Sequence, residues 1–180
     1  MDDQRSSVNF DSAAKWPFKL RGKHYLPTRG FSKSPCAPRS MAAMTSLMWF
    51  RDDLRLHDNQ ALSRAAGAAS LGDVPLVAVV LDEPAYPGTR PLGGATTWWR
   101  ERSLYALARD LADHGVELIR AAGDAREEIP RLAAELGATT VTWTRRYHGP
   151  LREVDAAVKE TLTARGIIAT SSPGFTLVEP

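Results

Sequence analysis

Residues 47–62 read LMWFRDDLRLHDNQAL: four apolar residues, then a stretch with three Asp and two Arg broken only by Leu54 and Leu56. A short run ending in aromatics reads as a strand buried on both faces, and the charge that follows reads as the loop leaving it. Four later runs repeat the pattern, at residues 74–81, 116–119, 139–143 and 167–169. Between them lie amphipathic stretches of helical period. The first starts near Asn59, with Asp58 or Asn59 as cap, and fades across residues 67–72. The others span about residues 95–114, 125–136 and 151–165, and each is closed by a glycine: Gly115, Gly137 and Gly166. Strands alternating with such helices predict an α/β fold, a Rossmann-like doubly wound five-stranded parallel sheet with helices on both faces.

Sheets of this kind bind ligands beyond the C-terminal ends of their strands. Phe50 ends the first strand, which puts RDDLRLHDN at that edge. The loop reads equally as a site and as an ion-paired scaffold in which Asp52, Asp53, Arg51 and Arg55 fix a turn. No G-x-G-x-x-G follows the first strand and no phosphate-loop or nucleophile-elbow motif occurs, so dinucleotide, phosphate-loop and hydrolase readings lose their support. His24, His57, His114 and His148 lack metal-ligand spacing, and no metal site is expected.

The chain has 180 residues, 43% of them hydrophobic, which suits one domain with a real core. No apolar run approaches the roughly 20 residues that cross a bilayer, and no secretory signal opens the chain. Together with a single cysteine, Cys36, this leads to the expectation of a cytoplasmic protein without membrane partners. Residues 1–44 carry eight Lys and Arg against three Asp, whereas residues 45–180 carry fifteen against eighteen Asp and Glu. The basic character therefore belongs to the N-terminal segment. It reads as a basic arm for nucleic acid, as a disordered leader, or as an over-long start with Met41 or Met44 as the initiator.

WFRDDLRLHDN (residues 49–59) closely resembles the opening motif of the DNA photolyase and cryptochrome family. GGATTWWRERSLYAL (93–107) is similar to the family's segment leading into the second helix. WTRRYHGPLREVD (143–155) resembles its W-x-R-x-Y-x-P-x-x-R-x-x-D stretch with Pro150 displaced by one position, and GFTLVEP (174–180) resembles its close of the domain. The resemblance implies that residues 45–180 are the family's N-terminal α/β domain, which holds a light-harvesting antenna chromophore. It also implies that the FAD-binding, DNA-contacting helical domain is absent here. The intact relatives use excited reduced flavin to split cyclobutane pyrimidine dimers in DNA.

On that footing the expected function is the antenna domain of a deoxyribodipyrimidine photolyase, a monomer inactive alone, with damaged DNA and FAD engaged only through the helical domain. The alternatives are a piece of a cryptochrome-type blue-light photoreceptor and a stand-alone nucleotide-like binding module. Phe50, Arg51 and Asp53, with Trp49 beside them, and Arg145, Arg146 and Tyr147 from the loop after the fourth strand are expected to line the chromophore edge. Trp49 and Phe50 also read as the end of a buried strand, and Arg55 as a tie to the helical domain. Of Trp98 and Trp99, one should pack and the other face the cleft or solvent. No residue is expected to be catalytic. Folate-binding relatives present an amide and a carboxylate where this chain has Pro150 and Leu151, so a deazaflavin or another flavin is preferred over methenyltetrahydrofolate.

Overall fold

The strand β1 (Thr45–Phe50) is buried along its whole length. In the computed structural model, which describes residues 44–174, it is the middle of a five-stranded sheet. The other strands are β2 (Leu76–Asp82), β3 (Glu117–Ala122), β4 (Ala138–Thr144) and β5 (Ile168–Ser172), in the order β3-β2-β1-β4-β5. Every pairing is parallel. Because strand side chains alternate between faces, Leu47 and Trp49 enter one core layer while Met48 and Phe50 enter the other. A one-residue slip would exchange the two sets.

Four helices cover those layers: α1 (Gln60–Gly72), α2 (Gly94–Asp113), α3 (Ala125–Glu135) and α4 (Gly149–Ala164). Helices α1 and α2 lie on the Met48 and Phe50 face, through Ala61, Ala65, Leu104, Leu107 and Leu111. Helices α3 and α4 lie on the Trp49 face, through Ile129, Leu132, Val154, Val158 and Leu162. The buried residues of α1 are Ala61, Ala65 and Ala69, all small and four apart, a spacing that keeps one face on the sheet. Helix α3 begins where the Asp124 carboxylate accepts from the Arg126 amide, with Glu127 and Glu128 in its first turn facing the positive end of the helix dipole.

The predicted architecture is the observed one, and the differences fall at element ends. Helix α1 continues to Gly72 and stops where Asp73 takes a left-handed φ of 49°, so Val74 and Pro75 form the connection and β2 starts at Leu76. Helix α4 starts at Gly149, ahead of expectation, because Pro150 suits the first turn, where a missing N–H costs nothing. Gly115, Gly137 and Gly166 close the last three helices at positive φ, as expected of left-handed caps. The basic segment lies outside the described residues except for Met44, and so does the ending after Gly174.

Candidate functional site

Arg51 is the first residue past β1, and its side chain turns into the Trp49 face at 6% exposure. Its two terminal nitrogens donate to both oxygens of Asp155 in α4, at 2.5 and 2.9 Å. One of them also donates to the Thr144 carbonyl at 3.0 Å. Arg146, from the loop after β4, donates to the same Asp155 at 2.7 Å and to Glu83, just past β2, at 3.0 and 3.2 Å. Two cations and two anions thus tie three strand ends and α4 into one cluster. Burial pulls the pKa of Arg51 down, with the Asp155 carboxylate opposing. For Arg146, burial also works downward, but Glu83 and Asp155 outweigh it and the pKa is raised.

The cluster rests on indole. The Arg51 guanidinium carbon lies 4.1 Å from the Trp49 ring centroid, and Trp49 meets Trp143 at 5.9 Å and 55°. Stacking a weakly hydrated guanidinium on Trp lets a charge close the top of an apolar layer. Such a bidentate pair supplies direction as well as attraction.

Asp53 turns to the other side. Its carboxylate, 7% exposed, accepts from the Arg51 amide at 3.2 Å, from the Asn59 amide group at 3.1 Å and from the Thr144 hydroxyl. Asn59 meanwhile caps α1, accepting from the Leu62 amide at 3.0 Å, and donates to the Arg55 carbonyl at 3.2 Å. Asp58 is not the cap; it takes a left-handed φ of 49°. Arg55 folds back to donate to the His57 and Asp58 carbonyls at 3.2 and 3.0 Å, which holds that turn. These residues border an open polar recess of about 150 Å³, with Asp53, Arg55, Asp58 and Asn59 on one wall and Thr144, Pro173 and Gly174 on the other.

The loop after β4 is tied to the end of β5. Arg145 donates to Ser171, with its Nε 3.4 Å from Oγ, and the Tyr147 hydroxyl accepts from the Gly174 amide at 3.2 Å. A side chain at position 174 would meet the Arg145 carbonyl at 3.0 Å and the Tyr147 ring at 3.3 Å, so only glycine lets the two segments approach this closely. Pro150 packs against the turn after β2. A Cβ on Gly88, whose φ is +80°, would stand 3.1 Å from the proline ring.

The residues singled out from sequence therefore divide. Phe50 is fully buried among Met48, Val80 and the α1 and α2 side chains, so it completes the core beneath the edge and does not face it. Trp49 is likewise fully buried. Arg51 and Arg146 are clamped to Asp155. Asp53 borders the recess, and Arg145 and Tyr147, both partly exposed, join its far wall to β5. Contrary to expectation, neither Trp98 nor Trp99 packs in the core; they are 49% and 68% exposed.

Sequence reasoning missed the two carboxylates that organise the cluster. Asp155 closed the W-x-R-x-Y motif without a role, and Glu83 follows the second apolar run as a charge at a strand end. Their positions were visible, but Asp155 meets Arg51 across 104 residues of sequence, which no local period reveals. Among the described residues no group of three or more His, Cys, Asp or Glu is placed to hold a metal ion. None of their helices is long and apolar enough to cross a membrane.

The geometry defines a doubly wound α/β domain with a charged, preorganised edge at its strand ends. Comparison with known proteins gives the family: a model described as DNA photolyase matches residues 46–180, and the chain belongs to the DNA photolyase family. The deoxyribodipyrimidine photo-lyase of Agrobacterium fabrum is 38% identical over 141 residues, covering 78% of this chain and 28% of that protein. Cryptochrome-1 of Arabidopsis thaliana is 33% identical over 137 residues, covering 75% of this chain and 19% of that protein. Among solved structures, a bacterial class III photolyase from Agrobacterium tumefaciens superimposes with a TM-score of 0.67 at 37% identity, over 82% of this chain and 29% of that one. A Synechocystis cryptochrome gives 0.68 at 28% identity, over 77% and 29%. The chain thus spans under a third of the length of these relatives. The family is flavin-dependent.

Proposed function

We propose that this chain is the light-harvesting domain of a deoxyribodipyrimidine photolyase, its strand-end edge holding an antenna chromophore for a flavin carried elsewhere in the working protein. The observation that carries the reading is the pair of tied loops bordering the recess. Asp53 and Asn59 on one side and Thr144, Arg145, Tyr147 and Gly174 on the other are held by mutual hydrogen bonds before any ligand arrives. Fixed orientation is what energy transfer through space requires, and no acid, base or nucleophile is needed. When bound, the chromophore would absorb light and pass the excitation to the flavin.

The residues fit such a group as a floor and not as an enclosure. A recess of about 150 Å³ falls short of the roughly 300 Å³ at which pockets bury most of a drug-sized ligand. A planar ring system would rest on the Arg55 and Tyr147 side of the edge with one face left to be covered. Arg145 and Arg55 supply the cationic hydrogen-bond donors for an anionic tail. Arg51, Asp53 and Arg146 act beneath it by holding the loops. Pro150 packs on the Gly88 turn, and Leu151 joins the core. Neither presents the polar groups with which a pterin would be recognised, which favours a deazaflavin or another flavin over methenyltetrahydrofolate.

The polypeptide carrying this domain would perform FAD-dependent, light-driven repair of cyclobutane pyrimidine dimers, with DNA and FAD bound outside residues 44–174. The 38% identity to a photolyase against 33% to a plant cryptochrome favours repair over signalling. Titration of the purified chain with a 5-deazaflavin, FMN and methenyltetrahydrofolate, followed by ligand fluorescence, tests the chromophore. Saturable binding of either flavin-type ligand, weakened by Arg145→Ala, is expected. Binding of methenyltetrahydrofolate alone would reverse the preference, and no binding at all would remove the antenna reading. The chain alone should repair no dimers under blue light.

A further inference from the structure

Beneath the recess two tryptophans lie side by side. Trp49 of β1 stands opposite Trp143 of β4 in the parallel register, and both enter the layer under α3 and α4. They are 0% and 1% exposed, with ring centroids 5.9 Å apart and planes at 55°. Trp143 is followed directly by Thr144, which lines the recess, and consecutive Cα atoms are about 3.8 Å apart. The pair therefore sits directly below the chromophore floor, well within the range at which transition dipoles exchange excitation through space. A packed core holds both rings in fixed rotamers, so their mutual angle is set before light arrives.

An indole under a flavin-type ring has two ways to act. It can pass ultraviolet excitation upward, or it can lose an electron to the excited ring and quench it. Three observations oppose the second route at Trp49. The charges stacked on its ring are positive: the guanidinium carbons of Arg51 and Arg146 lie 4.1 and 5.9 Å from its centroid. A neutral indole attracts a cation to its face, and removing an electron would turn that attraction into repulsion. The repulsion would act in a buried layer, where screening is weak. Finally, the N–H groups of both indoles are buried with no acceptor among the described residues, so an oxidised ring has no base to take its proton.

We propose that Trp49 and Trp143 form an ultraviolet antenna within this domain, a coupled indole pair that feeds the chromophore in the recess, and that Arg51 and Arg146 hold it to energy transfer. Ultraviolet light absorbed by the protein then widens the range of wavelengths that the domain collects. The other indole pair differs on each count. Trp98 and Trp99 precede Arg100, which grips the end of β2 through the Asp82 carboxylate and the Leu81 carbonyl. They stand beyond the sheet, exposed and outside both packed layers. The inference rests on the antenna reading, but one of its readouts needs no ligand.

Without ligand, circular dichroism of the 180-residue chain should show paired bands of opposite sign from the coupled indoles. Trp143→Phe should abolish them, and Trp98→Phe with Trp99→Phe should leave them. A chain without these bands would overturn the coupled pair. With FMN or a 5-deazaflavin bound, ultraviolet excitation should raise ligand emission above that of free ligand at matched absorbance. Trp49→Phe with Trp143→Phe should remove most of that gain, and the Trp98 and Trp99 variant should keep most of it. If the double core variant failed to fold, Trp143→Phe alone should still lower the gain. Arg51→Met with Asp155→Leu removes the stacked cation together with its partner, and should shorten the emission lifetime of bound FMN several-fold. An unchanged lifetime would overturn the part given to Arg51. Binding without ultraviolet gain, or a gain that survives loss of both buried indoles, would overturn this inference alone. Failure of both ligands to bind would remove the antenna reading and this inference with it.

Discussion

Arg51, Arg146, Glu83 and Asp155 beside α4, and Arg100, Arg120, Asp82 and Glu101 beside α2, contain the same groups: two guanidiniums and two carboxylates at one edge of one sheet. Their burial differs. Side chains of the first set are 4% to 14% exposed, and those of the second 17% to 33%. In the sealed set, losing one partner strands a charge where water cannot reach it, so the set behaves as a single clamp. In the second, water stands ready to replace a lost partner, and each pair is worth little alone. The sequence shows acid and Arg in both places; only packing decides which is which.

The comparison breaks first at Asp155. Asp155→Ala removes the shared acceptor of two buried arginines and should cost about 3–5 kcal/mol, read as a lowered urea midpoint at unchanged slope. Combining Arg51→Met with Asp155→Leu should recover much of that loss, because no unpaired charge remains. If the double variant were as unstable as the single one, the clamp would be contributing attraction and not merely avoiding a penalty.

Asn59 tests the seam between clamp and recess. Its side chain caps α1 and also donates to the Asp53 carboxylate and the Arg55 carbonyl. Asn59→Ala should cost about 1–2 kcal/mol, the upper part of the range for a lost N-cap, with a parallel loss of any ligand that depends on the recess. Asn59→Asp keeps the cap but sets a second carboxylate against Asp53, so it separates cap from donor. At the outer cluster, Glu101→Ala should cost within about 1 kcal/mol, and less in high salt. Thermal unfolding of both variants at two ionic strengths checks this ordering.

Strand and helix positions were legible because each rests on a local period or a stop signal, whereas the strand order β3-β2-β1-β4-β5 came only from the structure. Asn59 as cap and the three glycine stops are of this kind. The site was legible as a place and not as an arrangement. Position in a strand put Trp49 and Arg51 on one face and Phe50 on the other, but whether a residue at a strand end faces solvent depends on what lies over it. Asp155, 104 residues from Arg51, is what draws that arginine inward. The exposure of both Trp98 and Trp99 had a similar cause. Helical period decides which residues share a face, and it does not say that the helix outruns its sheet.

A pH-dependent effect concerns Tyr86, which lies just past β2 and links the edge to α3. Its hydroxyl accepts from the Ala125 amide at 3.0 Å, doing for α3 from a distance what Asp124 does locally. Burial raises the phenol to about 12, with the Ala125 N–H opposing and the negative charges of Glu83 and Asp124 adding to the rise. A phenol whose folded pKa exceeds its unfolded value of about 10 stabilises the fold fully below pH 10. That contribution is lost as pH climbs through 12, because the unfolded chain gives up the proton first. The stability difference between the native chain and Tyr86→Phe should therefore hold constant up to about pH 10 and shrink between 10 and 12. Subtracting the variant removes the other groups that titrate in this range. A flat difference would mean that the phenol ionises as easily in the fold as out of it, and that the Tyr86 hydroxyl is no more enclosed than the outer ion pairs.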